Sequence, residues 1–272
     1  MTGPQQIRRK TAGCNVSRSV ARTSSGLLRV SQSVNVTGKE QGLDATGRYW
    51  MLAVVEIEAG SIEYVCDNET VAVRESHFGI VAPPFSIIEV LLRGTRSRSV
   101  SYVSAGNLLT VCPNEPVIFN IAMDAIQDSP ENLARHFDRR ALTIPVGRCR
   151  YPSLLAQRAK SAIDNTFAEP GALSRTAHEL GVSASAMSRA FRNAYGLPPV
   201  RYRHMIRTMD GMMRLVAGSP ISQVFQEIGF DDLSRFYRQF KRYTLSPPSL
   251  YKFGSRVGHR SKNAKITFDP PG

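Results

Sequence analysis

The residues with the clearest chemical potential lie in the last third of the chain. Ala184, Ser185, Ser188, Arg189 and Arg192 are related by steps of one and four, so on a helix they share one exposed face. Leu233, Ser234, Arg235, Arg238 and Lys241 form a second such set further on. Small side chains let a helix backbone come close to a DNA major groove, and an arginine guanidinium can fork onto a guanine edge. The other cations suit the adjacent phosphates. One arginine-bearing helix face is more often simply hydrated, so the weight falls on the pattern occurring twice.

Each face needs a turn before it and a supporting helix behind it, and the sequence repeats both. One copy reads Glu179-Leu180-Gly181-Val182, then Met187-x-Arg189-x-Phe191, then Pro199-x-x-Tyr202-Arg203. The other reads Glu227-Ile228-Gly229-Phe230, then Phe236-x-Arg238-x-Phe240, then Pro248-x-x-Tyr251-Lys252. The second and third blocks are offset by 49 residues and the first by 48, so the second copy has one extra residue in or after its turn. In the first copy Leu173, Ala177 and Leu180 make the supporting face, Gly181 permits a left-handed turn, and Ser183 caps the next helix. That helix turns Met187, Ala190, Phe191 and Ala194 inward. In the second copy Ile221, Val224, Phe225 and Ile228 support, Gly229 turns, Asp231 or Asp232 caps, and Phe236 and Phe240 point inward. Residues 200–216 read as one long connecting helix packed through Met205, Met209, Met212 and Met213. At 1.5 Å per residue it is roughly 25 Å long, a strut suited to presenting two recognition helices to successive major-groove faces about 34 Å apart.

The charge balance agrees. The 272 residues carry a formal net charge of +13. Residues 151–272 hold 18 Lys and Arg against 8 Asp and Glu, whereas residues 1–150 hold 17 against 14. A basic half joined to a nearly balanced half fits a polyanion-binding module attached to something else. No run of 18 apolar residues occurs, and the first 26 residues lack the apolar middle of a secretory signal. A cytoplasmic protein without a membrane partner is expected. Cys14, Cys66, Cys112 and Cys149 form no C-x-x-C, which argues against a zinc cluster or a disulfide framework.

Residues 1–26, rich in Ser, Thr, Arg and Gly, read as a disordered basic tail. From 27 to 119 short runs rich in Val, Ile and Tyr, among them 49–55, 61–65, 78–82 and 87–91, have the spacing of an all-β sandwich or barrel. Pro83-Pro84 ends one run. Residues 124–141 turn helical, with Ile126, Leu133 and Phe137 on one stripe that either packs on its own domain or pairs subunits. Residues 143–152 read as a linker punctuated by Pro145, Gly147 and Pro152, and 254–272 as a second disordered tail. The first half has His77 and His136 but no H-x-H, no nucleophile elbow, no P-loop and no dinucleotide fingerprint. His77, two residues from Glu75, reads as structural or surface, so neither catalysis nor a metal or cofactor is expected. Tyr49, Trp50, Tyr64, Phe78 and Phe85 either line a pocket or, as is commoner for aromatics in strands, fill the core.

Residues 153–253 closely resemble the DNA-binding domain of AraC/XylS-type transcriptional regulators. The resemblance is strongest at Ile221-x-x-Val224-x-x-x-Ile228-Gly229-Phe230-x-Asp232-x-Ser234-x-Phe236-x-Arg238-x-Phe240-Lys241 with Pro248-x-x-Tyr251. It continues at Ala177-x-x-Leu180-Gly181-Val182-Ser183, Arg189-x-Phe191, Gly196-x-x-Pro199 and Tyr202. Met187, Gly211 and Leu245 depart from it, standing where Leu, Ala and Gly are usual. The resemblance implies an all-α domain with two helix-turn-helix units joined by a long helix, both recognition helices entering the major groove of a promoter operator. It further implies RNA polymerase as a partner, an activator's role, and a cupin-like β-barrel over 27–142 with its trailing helix, making an α+β chain controlled by a small effector or by homodimerisation. Two other readings stay open: a regulator without effector whose first half binds a regulatory protein, and a cupin-type enzyme fused to a DNA-binding domain.

Overall fold

The computed structural model describes residues 5–11, 13–67, 69–106, 109–110, 112–121, 129–140, 143–147, 151–244 and 246–252. The first half is built around two long antiparallel strands, β5 (Trp50–Cys66) and β8 (Ile87–Ser104), whose Val, Ile, Leu and Tyr content favours a half-buried pleated surface. Register shifts between Ile57 and Ser61 bend this pair, so each strand serves two parts of the sheet. The start of β5 pairs with β7 (His77–Ala82) and its end with β6 (Glu69–Ala72). The start of β8 pairs with β4 (Lys39–Ala45) and its end with β3 (Leu28–Val36). Beyond β3 come β2 (Cys14–Arg22) and β1 (Gln5–Thr11), and beyond β7 come β9 (Val117–Phe119) and β10 (Thr143–Pro145). The sheet folds over on itself: its ladder path runs from β1 to β10, and an isolated antiparallel bridge joins Gly147, just beyond β10, to Ile88 of β8.

Two expectations change with these elements, and one open alternative is narrowed. Residues 5–11 and 14–22 are strands where composition suggests a tail. Val16, Arg18 and Val20 recur with period two, and Val20 is buried in a core shared with the helical half, a pattern that the intervening serines hide from a reading of composition. Residues 143–145, read as linker, add the strand β10. In α1 (Pro130–Arg140), Leu133 and Phe137 are buried against their own sheet, with the Phe137 ring 5.1 Å edge-on from Phe119. That stripe therefore faces inward and is not available to a second subunit; Ile126 lies outside the described residues, as do Leu245 and the tail 254–272.

The helical half comprises α2 (Leu154–Thr166), α3 (Ala172–Glu179), α4 (Ala184–Tyr195), α5 (Pro199–Val216), α6 (Ile221–Glu227) and α7 (Leu233–Thr244), closed by a 3-10 turn at Pro248–Tyr251. It does not stand apart from the sheet. Val20, Leu28, Tyr49 and Val103 share one apolar core with Met212, Leu215, Val224, Phe236, Phe240 and Tyr251. Ala45 and Ile87 join a second core with Ile163, Phe191, Leu197 and Tyr202. At the centre of the joint the Tyr49 hydroxyl donates to Asp210 Oδ1 at 2.7 Å, and Arg48 Nε lies 3.1 Å from the same oxygen. Arg214 Nε holds Oδ2 at 2.9 Å and also pairs with Glu227 of α6. Burial first, then the Asp210 charge, pushes the Tyr49 phenol above its ordinary range.

The two turn glycines differ in what surrounds them. Both are left-handed, Gly181 at φ 66° and Gly229 at φ 83°. A Cβ on Gly181 would meet nothing within 4 Å, whereas one on Gly229 would lie 1.8 Å from the Ala168 carbonyl oxygen. Gly181→Ala should carry only the cost of a left-handed backbone, about 1–3 kcal/mol. Gly229→Ala must also displace main chain and should unfold the protein at a much lower denaturant concentration. Urea unfolding of both variants checks this; equal midpoints would show that the second turn is not packed as described.

Candidate nucleic-acid interface

The first unit is α3, the Gly181 turn and α4. Ser183 Oγ accepts from the Ala186 N–H at 3.2 Å, satisfying an end group of α4 that the helix itself leaves unpaired. Met187, Phe191 and Ala194 are buried beneath the helix, and Ala184, Ser185, Arg189 and Arg192 are exposed, with Ser188 half-buried. In the second unit Asp232, not Asp231, is the cap: its carboxylate accepts from the N–H groups of Ser234 at 2.9 Å and Arg235 at 3.1 Å. Phe236 and Phe240 are buried, and Leu233, Ser234, Arg235, Arg238 and Lys241 are exposed. Leu233 is 42% exposed although it is a leucine at the start of a helix that otherwise buries its large apolar groups. Each set of five thus lies on one helix, with its cations exposed.

The strut α5 is 18 residues long, and two of its arginines hold the end of α2. Arg203 Nε donates to the Phe167 carbonyl at 2.8 Å and its Nη2 donates to the Glu169 carbonyl. Arg207 Nε donates to the same Phe167 carbonyl at 2.6 Å and Nη2 to that of Ala168 at 3.2 Å. Both guanidiniums therefore close the end of α2, where unpaired carbonyls carry the negative end of the helix dipole. The Arg207 guanidinium also sits 5.4 Å over the Phe230 ring, in the turn of the second unit. Gly211, the departure from alanine in mid-strut, brings α5 up to α6: a Cβ there would lie 2.8 Å from Ile228 Cδ1. None of these joining arginines stands out in the sequence as functional, because the groups they satisfy are main-chain carbonyls about 36 to 40 residues away.

A cavity of about 210 Å3 lies under the folded-over sheet and is capped by the helical half. Val30, Val55, Ile80, Val90, Met209 and Met212 are among its apolar walls, Ser97, Ser99 and Ser101 form a polar row along β8, and Arg18 stands beside them. Arg18 is held by Gln32, whose Oε1 accepts from Nε at 3.0 Å and Nη2 at 2.6 Å. Of the five aromatic candidates only Tyr64 reaches this cavity. Tyr49 belongs to the interdomain joint, Phe78 to the core and Trp50 to the packing around it. Phe85, at φ 61°, presents its ring to Lys160 at 5.8 Å. His77 Nδ1 lies 3.0 Å from Ser76 Oγ, and among the described residues no group of three His, Cys, Asp or Glu is arranged to hold a metal.

His204 on α5 is stacked on Phe230 at 6.3 Å, and burial followed by the charges of Arg207, Arg235, Arg203 and Arg242 lowers its pKa to about 4. In the unfolded chain a histidine titrates near 6.5. Between these values the unfolded state binds the extra proton, so stability should fall as pH falls from about 6.5 towards 4. His204→Gln should flatten that part of the profile. Urea midpoints of the two proteins across this range test it, and parallel curves would contradict the assignment.

Comparisons with known proteins follow the same division. Residues 176–252 match the family model described as a helix-turn-helix domain. No curated protein matches the chain. Among solved structures, ToxT from Vibrio cholerae strain SCE256, determined with an unsaturated fatty acid bound, is 15% identical over 80% of this chain and 95% of its own, with a TM-score of 0.43. The C-terminal domain of AraT, a response regulator from Geobacillus stearothermophilus, is 22% identical over 41% of this chain and 97% of its own, with a TM-score of 0.36. A probable AraC family transcriptional regulator from Rhodopseudomonas palustris CGA009 is 19% identical over 36% of this chain and 93% of its own, with a TM-score of 0.33. Residues 176–252 are an AraC-type helix-turn-helix domain.

Proposed function

We propose that this protein is a sequence-specific transcriptional activator that inserts α4 and α7 into successive major-groove faces of a promoter and acts on RNA polymerase from there. The observation that carries this reading is the pair of capped helices, each exposing small side chains and cations on one face, fixed to one strut. Arg238 is exposed on α7 and free to fork onto a base, whereas Arg235 is shared with Asp231 at 3.9 Å. A bidentate arginine–base contact contributes about 1–3 kcal/mol of discrimination, so Arg238→Ala should narrow the preference for the selected operator over random duplex roughly tenfold or more, and Arg235→Ala by less. Operators selected from a random library, followed by full-length titrations, give the measurement. If both variants keep the wild-type preference, α7 does not read sequence.

Control is assigned to the cavity. With Leu133 and Phe137 buried in their own domain, dimerisation through α1 loses its surface, while an apolar space beside a fixed guanidinium suits a small apolar effector with an acidic end. Helix α5 lines the cavity through Met209 and Met212 and carries Asp210 between them, so an occupant would touch the element that spaces the recognition helices. Medium- and long-chain carboxylic acids should raise the melting temperature of the full-length protein, and Arg18→Met should abolish the shift. A panel of such acids that leaves the wild-type melting temperature unchanged removes this class of effector.

A further inference from the structure

The saddle between the two helix-turn-helix units gathers four guanidiniums from three elements: Arg175 of α3, Arg203 and Arg207 of α5, and Arg235 of α7. Their charge is poorly offset. Arg203 and Arg207 donate to the carbonyls of Phe167, Ala168 and Glu169, which solvate a cation without cancelling it. Glu169 and Asp231 act on Arg203 and Arg207, and Asp232 caps α7 beside Arg235. Glu169 is paired with Arg175, and Asp231 is 3.9 Å from Arg235 and 85% exposed. The four cations outnumber these carboxylates, and Arg207 is only 5% exposed to the water that would otherwise screen it. Burial and the neighbouring arginines together push Arg207 down from the ordinary arginine value, the mark of a cation short of counter-charge.

On the DNA-binding reading, the saddle lies on the path of a DNA strand. Arg175 stands in the first turn of α3 and Arg235 in the first turn of α7, and in helix-turn-helix units the supporting helix crosses the sugar-phosphate backbone while the start of the recognition helix enters the groove. Phosphate oxygens are also what exposed helix N-termini and clustered arginines bind. We propose that Arg175 and Arg203, backed by Arg207, seat a backbone phosphate of the DNA strand that crosses between α4 and α7, and that Glu169 is the resident counter-ion this phosphate displaces. The contact reads no base. It fixes where the duplex lies between the two recognition helices and adds affinity equally for every sequence. It rests on the DNA-binding reading above and assigns residues outside both recognition faces.

The test uses the full-length protein and a random-sequence duplex of about 30 base pairs, titrated by fluorescence anisotropy between roughly 50 and 200 mM KCl. Each phosphate contact contributes about 0.9 to the slope of log affinity against log salt. Arg175→Gln should lower the slope by about that amount, weaken binding several-fold, and leave the preference for a selected operator unchanged. Glu169→Gln should do the reverse, tightening binding and steepening the slope, which loss of a merely structural ion pair would not do. Arg203→Lys, which keeps the charge while loosening the hold on α2, should keep most of the slope. A wild-type slope in Arg175→Gln, or weaker binding in Glu169→Gln with an unchanged melting temperature, overturns the seat while DNA binding itself stands. A wild-type protein that binds no duplex at low salt overturns both.

Discussion

The Phe167 carbonyl accepts from two arginines of one helix, and much of the molecule's geometry depends on that contact. Arg203 and Arg207 stand four residues apart on α5, so both point to the same side, and they meet the end of α2 together. Because Arg207 also covers Phe230, and because Gly229 has no side chain to hold Ala168 away, the end of α2, the strut and the turn of the second unit touch at one point. The spacing of α4 and α7 is consequently set by packed main chain and not by the length of α5 alone. On the proposed reading, helices held at a fixed spacing would favour a duplex whose shape matches it, since any other must deform to bind both.

A second constraint ties this domain to the sheet. Asp210 is almost fully buried, and an isolated carboxylate there would be strongly destabilising. Its partners come from two directions: Arg48 and Tyr49 from the sheet, Arg214 from its own helix. Separation of the halves would strip two of these three and expose Val20, Leu28 and Tyr49, which now share a core with Phe236 and Phe240. The halves therefore share their cores, and the cavity between them is bounded by both. Anything that alters the sheet wall of that cavity reaches the strut through Met209 and Met212, one residue before and two after Asp210.

The sequence was most informative where function rests on local periodicity. The exposed stripes of α4 and α7, their capping residues, the glycine turns and the inward aromatics are all set by spacing within a dozen residues, and spacing is what a helix converts into a face. The strands from 50 to 66 and 87 to 104 were legible for a similar reason, as was the break at Pro83-Pro84. The strand at 14–22 was not: its buried alternation is carried by a few valines among serines and arginines, and it becomes a strand only because β3 and the helical core supply the partner surfaces.

What the sequence determined by itself is the repeated unit, its two outward faces and the basic character of the half that carries them, because these follow from residue order and side-chain charge. Tertiary structure alone decided which of Asp231 and Asp232 caps α7, that Leu133 and Phe137 turn into their own sheet, and that Arg203 and Arg207 bind carbonyls of a distant helix end. It also decided that the sheet folds over a cavity with the strut as part of its wall. The physical reason is the same throughout: a buried cation, a buried carboxylate or a cavity wall is defined by partners far away along the chain, and no local pattern records where those partners will be.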